Sequence, residues 1–349
     1  MNLDRKAILE LLKEADPARL EVLWREADAA RQANVGDAVH LRGLVEVSNH
    51  CVRACGYCGV SLNNPDLQRY RMSPDEIMEC VGQAVSLGYG TIVLQAGEDY
   101  GLTKDLMAGL VRRIKSETPL AVTLSLGERS TEDLQAWREA GANRYLLRFE
   151  TSDDALYEHI HPSLTGRSPG RVAILRKLRD MGYEIGSGVM IGIPGQSYES
   201  LARDIALFAE LDLDMIGVGP YIPHPKTPLS VETSSLPTQD QVPATEDMTY
   251  KVVALARLLC PQANIPSTTA LATLNRASGR ELGLARGANV VMPNLTPPKY
   301  RALYEIYPDK ACIHETAVEF TGCLRTRLES MGRTIARGPG GRLREADIR

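Results

Sequence analysis

From residue 40 the chain alternates short apolar runs with amphipathic helical segments, and this rhythm limits what it can fold into. The apolar runs are HLRGLVEVSN from His40, TIVLQAG from Thr91, AVTLSLG from Ala121 and RYLLRFET from Arg144. They continue with YEIGSGVMIG from Tyr183, MIGVGPYI from Met215, NIPSTTA from Asn264 and NVVMPN from Asn289. Between most of them lie segments such as PDEIMECVGQAVSLG, TKDLMAGLVRRIKS, STEDLQAWREAG and SYESLARDIALFAEL, with apolar residues at helical spacing. Strands separated by helices predict parallel pairing in an α/β fold. Eight such units predict a complete (β/α)8 TIM-type barrel; an open doubly wound sheet needs fewer strands. Helix boundaries are written locally as well. Ser73-Pro74-Asp75-Glu76 offers a cap, a first-turn proline and early acids. Leu87-Gly88, Ala140-Gly141 and Met181-Gly182 place glycine where a helix must stop.

Three parts are expected: a helical extension over 1–35, the barrel over 36–310, and a closing segment and tail over 311–349. The tail RTIARGPGGRLREADIR reads as a mobile or extended end. The proline-rich stretch IPHPKTPLSVETSSLPTQDQVPA after the sixth strand falls on the side of a barrel where loops line the site, and reads as a lid. No apolar run of about 20 residues could cross a bilayer. The start MNLDRKAILELLKEAD carries acids and lacks the apolar centre of an export signal. The net charge of -4 is not a nucleic-acid footprint. A cytoplasmic protein with neither membrane nor nucleic-acid partners is expected.

Seven cysteines are present, an odd number scattered along the chain, which argues against a disulfide framework. Cys80 and Cys260 sit in apolar helical patterns and read as small buried hydrophobes. Cys51, Cys55 and Cys58 differ: they share the stretch EVSNHCVRACGYCGV just after the first strand, at the mouth of a barrel. Structural zinc wants four protein ligands, and no fourth Cys or His lies at the usual distance. Soft thiolates suit an iron–sulfur cube, and three of them leave one iron open for a small molecule.

The spacing Cys51-x3-Cys55-x2-Cys58, with Tyr57 before the last thiol, resembles the signature of radical S-adenosylmethionine (SAM) enzymes. The resemblance implies a [4Fe-4S] cluster on these three cysteines. It also implies cleavage of SAM, chelated at the open iron, to methionine and a 5'-deoxyadenosyl radical. Further positions follow from it. Gly97 and Glu98, in QAGED after the second strand, resemble the element that holds the SAM amino group. Glu150, ending the fourth strand, resembles the acid near the ribose and amino group. Arg171 resembles the arginine that pairs with the SAM carboxylate. Met190 and Ile191, in MIGIPG, resemble the element packed on adenine. The segments SNHCVRACGYCG, RYRMSPDEI, GPYIPHPKTPL and ANVVMPNLTPPKYRALYEIYP further resemble the HydE family of [FeFe]-hydrogenase maturases.

That closer resemblance implies a cysteine-bound Fe(CO)2(CN) precursor as substrate, in assembly of the hydrogenase H-cluster. Its carboxylate would be held by Arg148, Thr268 and Thr269, with Tyr304 and Tyr307 near the cavity. It implies a reductant such as ferredoxin or flavodoxin and other hydrogenase maturases as partners. Cys312 and Cys323 lack a close third thiol, so no second cluster is expected. Two other readings stay open: a relative acting on another cysteine-like or amino-acid substrate, and a non-catalytic iron–sulfur carrier.

Overall fold

A computed structural model describes residues 3–164, 170–311, 313 and 315–342. Two helices lead, α1 (Arg5–Lys13) and α2 (Pro17–Val35). The alternation follows: β1 (Ala38–Ser48), α3 (Pro74–Ser86), β2 (Thr91–Ala96), α4 (Lys104–Glu117), β3 (Ala121–Ser125), α5 (Thr131–Glu139) and β4 (Arg144–Leu146). Next come α6 (Asp154–Ile160), α7 (Arg171–Asp180), β5 (Glu184–Ser187), β6 (Met190–Ile191), α8 (Tyr198–Glu210), β7 (Met215–Ile216) and β8 (Gly219–Pro220). The chain continues through α9 (Glu246–Leu259), α10 (Thr269–Leu274), α11 (Gly279–Ala285), β9 (Val290–Val291), α12 (Pro298–Arg301), α13 (Ala317–Ser330) and β10 (Thr334–Ile335).

The local signals act as read. Ser73 Oγ accepts from the Glu76 N–H while Glu76 Oε2 accepts from the Ser73 N–H, a reciprocal cap that starts α3. Gly88 and Gly182 follow α3 and α7 with φ of 74° and 82°, a region open to glycine.

The strands pair in parallel in the order β1-β2-β3-β4-β5-β7, with β9 and β10 also on β1. Thr91 lies beside both Arg42 and Ala121, Arg144 beside Thr123 and Glu184, and Gly186 beside Met215. Beyond β7 the ladder gives way. Asn264 and Pro266 make isolated bridges, to Met215 and Val290 respectively, and form no strand. The expected complete (β/α)8 barrel is therefore corrected to an open, incompletely paired one. The cause is local: Pro266 has no N–H for a ladder. Two residues later Thr268 is already the N-cap of α10. β6 and β8 form a separate two-stranded sheet.

The apolar faces of the helices cover the outside of the sheet. Trp137, Tyr145, Phe149 and Phe208 are fully buried there, and Cys80 and Cys260 are buried as expected. The leading helices pack outside, α1 against α8 and α2 against α9.

The bottom belongs to Pro339 and Gly340, whose carbonyls are pinned there. Gly340 O accepts from Arg42 Nη2 and Asn264 Nδ2, both at 3.1 Å. Pro339 O accepts from Arg144 Nη2 at 3.0 Å and Thr91 Oγ1 at 2.9 Å. Thr91 and Arg144 open β2 and β4, and the buried guanidinium groups of Arg42 and Arg144 demand acceptors. No helix among the described residues is long and apolar enough to cross a membrane.

One buried acid makes stability depend on pH. Asp204, on α8, accepts from the Ser152 N–H at 2.5 Å, and its Oδ2 has no hydrogen-bond partner among the described residues. Burial pushes its pKa from 3.8 up to about 6. The charged form is disfavoured in the fold, so stability falls as pH rises from about 4 through about 6. The cost at pH 7 is roughly 3 kcal/mol. Asp204→Asn keeps an acceptor and removes the charge. Urea unfolding should find the variant about 1–3 kcal/mol more stable at pH 7 and little changed near pH 4. An equal shift at both pH values would refute this.

Candidate active site

The three signature cysteines lie on the loop after β1, and backbone and side-chain contacts fix its path. Arg69 Nη1 donates to Asn49 O and Val60 O, and its Nη2 to Ser61 O, each at 2.6 Å. Gly56 N donates to Ile160 O at 2.9 Å, and Leu229 N, in the proline-rich loop after β8, donates to Gly56 O at 3.1 Å. That loop lies against the cysteine loop, where sequence placed it. Gly97 serves the same packing. A Cβ there would stand 2.4 Å from His50 O and 2.8 Å from Cys51 Cβ, so only glycine admits the loop this close.

Each sulfur has its own setting. Cys51 Sγ accepts from the Arg53 and Glu98 backbone N–H groups, both at 3.4 Å. Cys55 is buried, with its Sγ 2.8 Å from His161 Nδ1. Cys58 opens on a cavity of about 290 Å³. Burial raises all three thiol pKa values, that of Cys58 to about 12. A bound iron would reverse this, since a metal deprotonates a ligating thiol outright.

Among the described residues, one set of three His, Cys, Asp or Glu donor atoms converges within 4.8 Å, and it is Glu98, Glu128 and His161 rather than the cysteines. Two guanidinium groups already neutralise that set. Glu128 Oε1 accepts from Arg171 Nε at 3.0 Å and Arg53 Nη2 at 3.4 Å. Glu98 Oε1 accepts from Arg171 Nη2 at 3.3 Å. It is a buried ion-pair network. A cube takes its thiolates at separate corners, so its ligands need not converge on one point. The donor chemistry of the cysteine loop fits a cluster, and that of the converging set does not call for an ion.

The network sets unequal pKa values. Burial would raise Glu128, but the Arg171 and Arg53 guanidinium groups against it hold it well below the usual carboxylate range. Burial dominates at Glu98 and raises it despite Arg171. Burial lowers His161 to about 4, leaving a neutral imidazole.

The cavity gathers some of the residues singled out from sequence and leaves others behind it. Cys58, Arg148, Glu150, Met190, Thr268, Thr269 and Tyr307 line it. Gly97, Glu98 and Arg171 lie outside its lining, in the layer that holds the cysteine loop. Ile191 is fully buried in the core, and Tyr304 stands one layer back, where its hydroxyl accepts from Gln95 Nε2 at 3.4 Å. Thr268 and Thr269, expected at the end of a seventh strand, begin α10 instead. The Thr268 hydroxyl does not cap that helix and, like Arg148 Nε, has no hydrogen-bond partner among the described residues. Arg148 Nη2 lies 3.2 Å from Glu150 Oε2. Glu150 holds φ at 63°, a strained value for a side-chain-bearing residue. Glu46 forms a buried ion pair with Lys310, and both line the cavity. Cys312 lies outside the described residues; Cys323 is exposed.

Sequence reading missed Arg53, Glu128 and His161. Glu128 was recoverable, because it follows the third apolar run much as Glu98 and Glu150 follow the second and fourth. His161 carried no such signal.

Residues 45–220 match the radical SAM superfamily. The chain is 44% identical over 344 residues to the [FeFe] hydrogenase maturase subunit HydE of Thermotoga maritima, covering 97% of this chain and 95% of that protein. It is 31% identical over 293 residues to 3-methylornithine synthase of Methanosarcina acetivorans, covering 82% and 77%. The crystal structure of methylornithine synthase (PylB) superposes with a TM-score of 0.81 at 26% identity, over 97% of this chain and 95% of that one. The sequence signature, the parallel α/β scaffold and these likenesses agree: the chain belongs to the radical SAM superfamily.

Proposed function

We propose that this radical SAM enzyme carries a [4Fe-4S] cluster on Cys51, Cys55 and Cys58 and acts on a cysteine-bound Fe(CO)2(CN) precursor in [FeFe]-hydrogenase H-cluster assembly. The likeness to HydE over nearly the whole chain supports the substrate class. The observation that carries the reading is one cavity with a cluster thiol, Cys58, on one wall and two partnerless polar atoms, Arg148 Nε and Thr268 Oγ1, on others. Buried polar atoms without partners are rare and want an acceptor, which a substrate carboxylate supplies. When bound and reduced, the cluster supplies the electron that splits SAM into methionine and a 5'-deoxyadenosyl radical.

The chain's own residues bind, orient and exclude water. Glu150 and Met190 face the cavity on the SAM side, while Gly97, Glu98, Arg171 and Ile191 shape the wall behind them. Arg148, Thr268 and Thr269 grip the substrate carboxylate, with Tyr307 near them and Tyr304 behind. Apolar neighbours such as Leu44, Val218 and Ile306 keep the cavity dry, so a radical formed there meets substrate before solvent. The reductant is a small low-potential carrier such as ferredoxin or flavodoxin.

Adding the reconstituted protein to a maturation extract that lacks its HydE-type component tests the substrate. Recovery of hydrogenase activity is expected. The likeness to 3-methylornithine synthase favours a second reading, an amino-acid substrate. No recovery, with 5'-deoxyadenosine formation stimulated by a free amino acid, would select it.

The clamp has a separate test. Arg148→Ala and Thr268→Val should each weaken substrate binding by about 1–3 kcal/mol. Combined, they should cost less than the sum, because both serve the same carboxylate. SAM affinity should barely change. Strictly additive losses in a double-mutant cycle would remove the shared clamp.

A further inference from the structure

We infer that His161 donates an Nδ1–H hydrogen bond to the Cys55 sulfur and thereby raises the reduction potential of the cluster; the inference rests on the three-thiol reading above. The geometry assigns the proton. His161 Nε2 lies 2.8 Å from Arg171 Nη2, and a guanidinium only donates. Nε2 must therefore accept, which leaves the ring proton on Nδ1, 2.8 Å from Cys55 Sγ. Glu128 Oε1 is farther from Nε2, at 3.4 Å, and takes the Arg171 Nε–H at 3.0 Å.

The ring has little freedom to choose otherwise. His161 is 1% exposed, so bulk water cannot replace either partner. Its backbone N–H is bound to Tyr157 O at 2.8 Å, and the Tyr157 ring stands 5.1 Å from the imidazole. Arg171 is thus the residue that fixes the tautomer, and Glu128 orients Arg171. His161 is a positioning residue: it acts on the cluster through Cys55.

A donor to a ligand sulfur stabilises the more negative, reduced state of an iron–sulfur cluster and raises its potential. Cys51 receives backbone donors, which a substitution leaves in place. Cys55 receives a side chain, so this contact can be removed alone.

The test compares anaerobically reconstituted full-length wild type, His161→Leu and His161→Asn. Iron content is counted, and the cluster is titrated with dithionite and mediators, without SAM, under electron paramagnetic resonance. At the wild-type midpoint His161→Leu should show a reduced-to-oxidised ratio about tenfold lower, a fall of about 59 mV for a one-electron couple. His161→Asn, whose amide N–H can stand near the Nδ1 position, should recover most of that loss. Unmoved potentials, or equal falls in both variants, would overturn the inference. Wild type labelled with 15N-histidine gives a readout that needs no variant. A weak nitrogen coupling in the reduced cluster supports the contact, and its absence overturns it even if a variant fails to load iron. Full iron in Cys55→Ala overturns the three-thiol reading and this inference together. A loaded cluster with an unmoved potential overturns only this one.

Discussion

Cys55→Ala is expected to give a folded protein that holds no cluster and forms no 5'-deoxyadenosine, the largest effect any single change here should have. Three thiols on one short loop are the fewest that hold a cube while leaving an iron open, and two are a poor site. Without iron the buried thiol remains protonated, because burial raises its pKa. Alanine there therefore costs packing and no lost charge. Cys80→Ala and Cys260→Ala serve as controls, since both side chains are buried in apolar surroundings away from the loop. Iron counting, visible absorbance and product analysis after dithionite reduction decide the matter. Full iron and full product from Cys55→Ala would sink the assignment.

Glu128→Ala should destabilise the protein by about 3–5 kcal/mol, the usual cost of removing one partner of a buried charge network. Arg53 and Arg171 are 5% and 9% exposed, and both lean on Glu128. The remaining acid, Glu98, is a weak counterion because burial raises its pKa. Two guanidinium groups would then share one reluctant carboxylate inside the fold. Glu128→Gln should recover part of the packing and little of the charge. Thermal and denaturant unfolding of the iron-free proteins measure this directly. A loss below about 1 kcal/mol would mean that water enters the cluster and screens it.

Much of the scaffold was legible because its causes are local. The reciprocal Ser73–Glu76 cap and the glycine stops at Gly88 and Gly182 depend on a few consecutive residues. The cysteine spacing is likewise confined to one loop. The seventh unit misled for a reason also present in sequence: NIPSTTA is apolar enough to read as a strand, yet Pro266 cannot hydrogen-bond as one. The contacts of Pro339 and Gly340 were not legible in sequence, because their donors, Arg42, Thr91, Arg144 and Asn264, come from distant parts of the chain.

By itself, then, the sequence determined the parallel α/β plan and the three-thiol loop, which follow from periodicity and spacing, while Arg148, Glu150 and Thr268 were singled out only by what the resemblance implies. Only the tertiary structure decided which charges neutralise one another. Residues 53, 98, 128, 161 and 171 come from separate loops and helix starts, and burial makes their pairing obligatory once folding removes water. It also decided that Arg171 holds His161 and that His161 meets Cys55, because a tautomer is fixed by whichever donor stands across space from the ring.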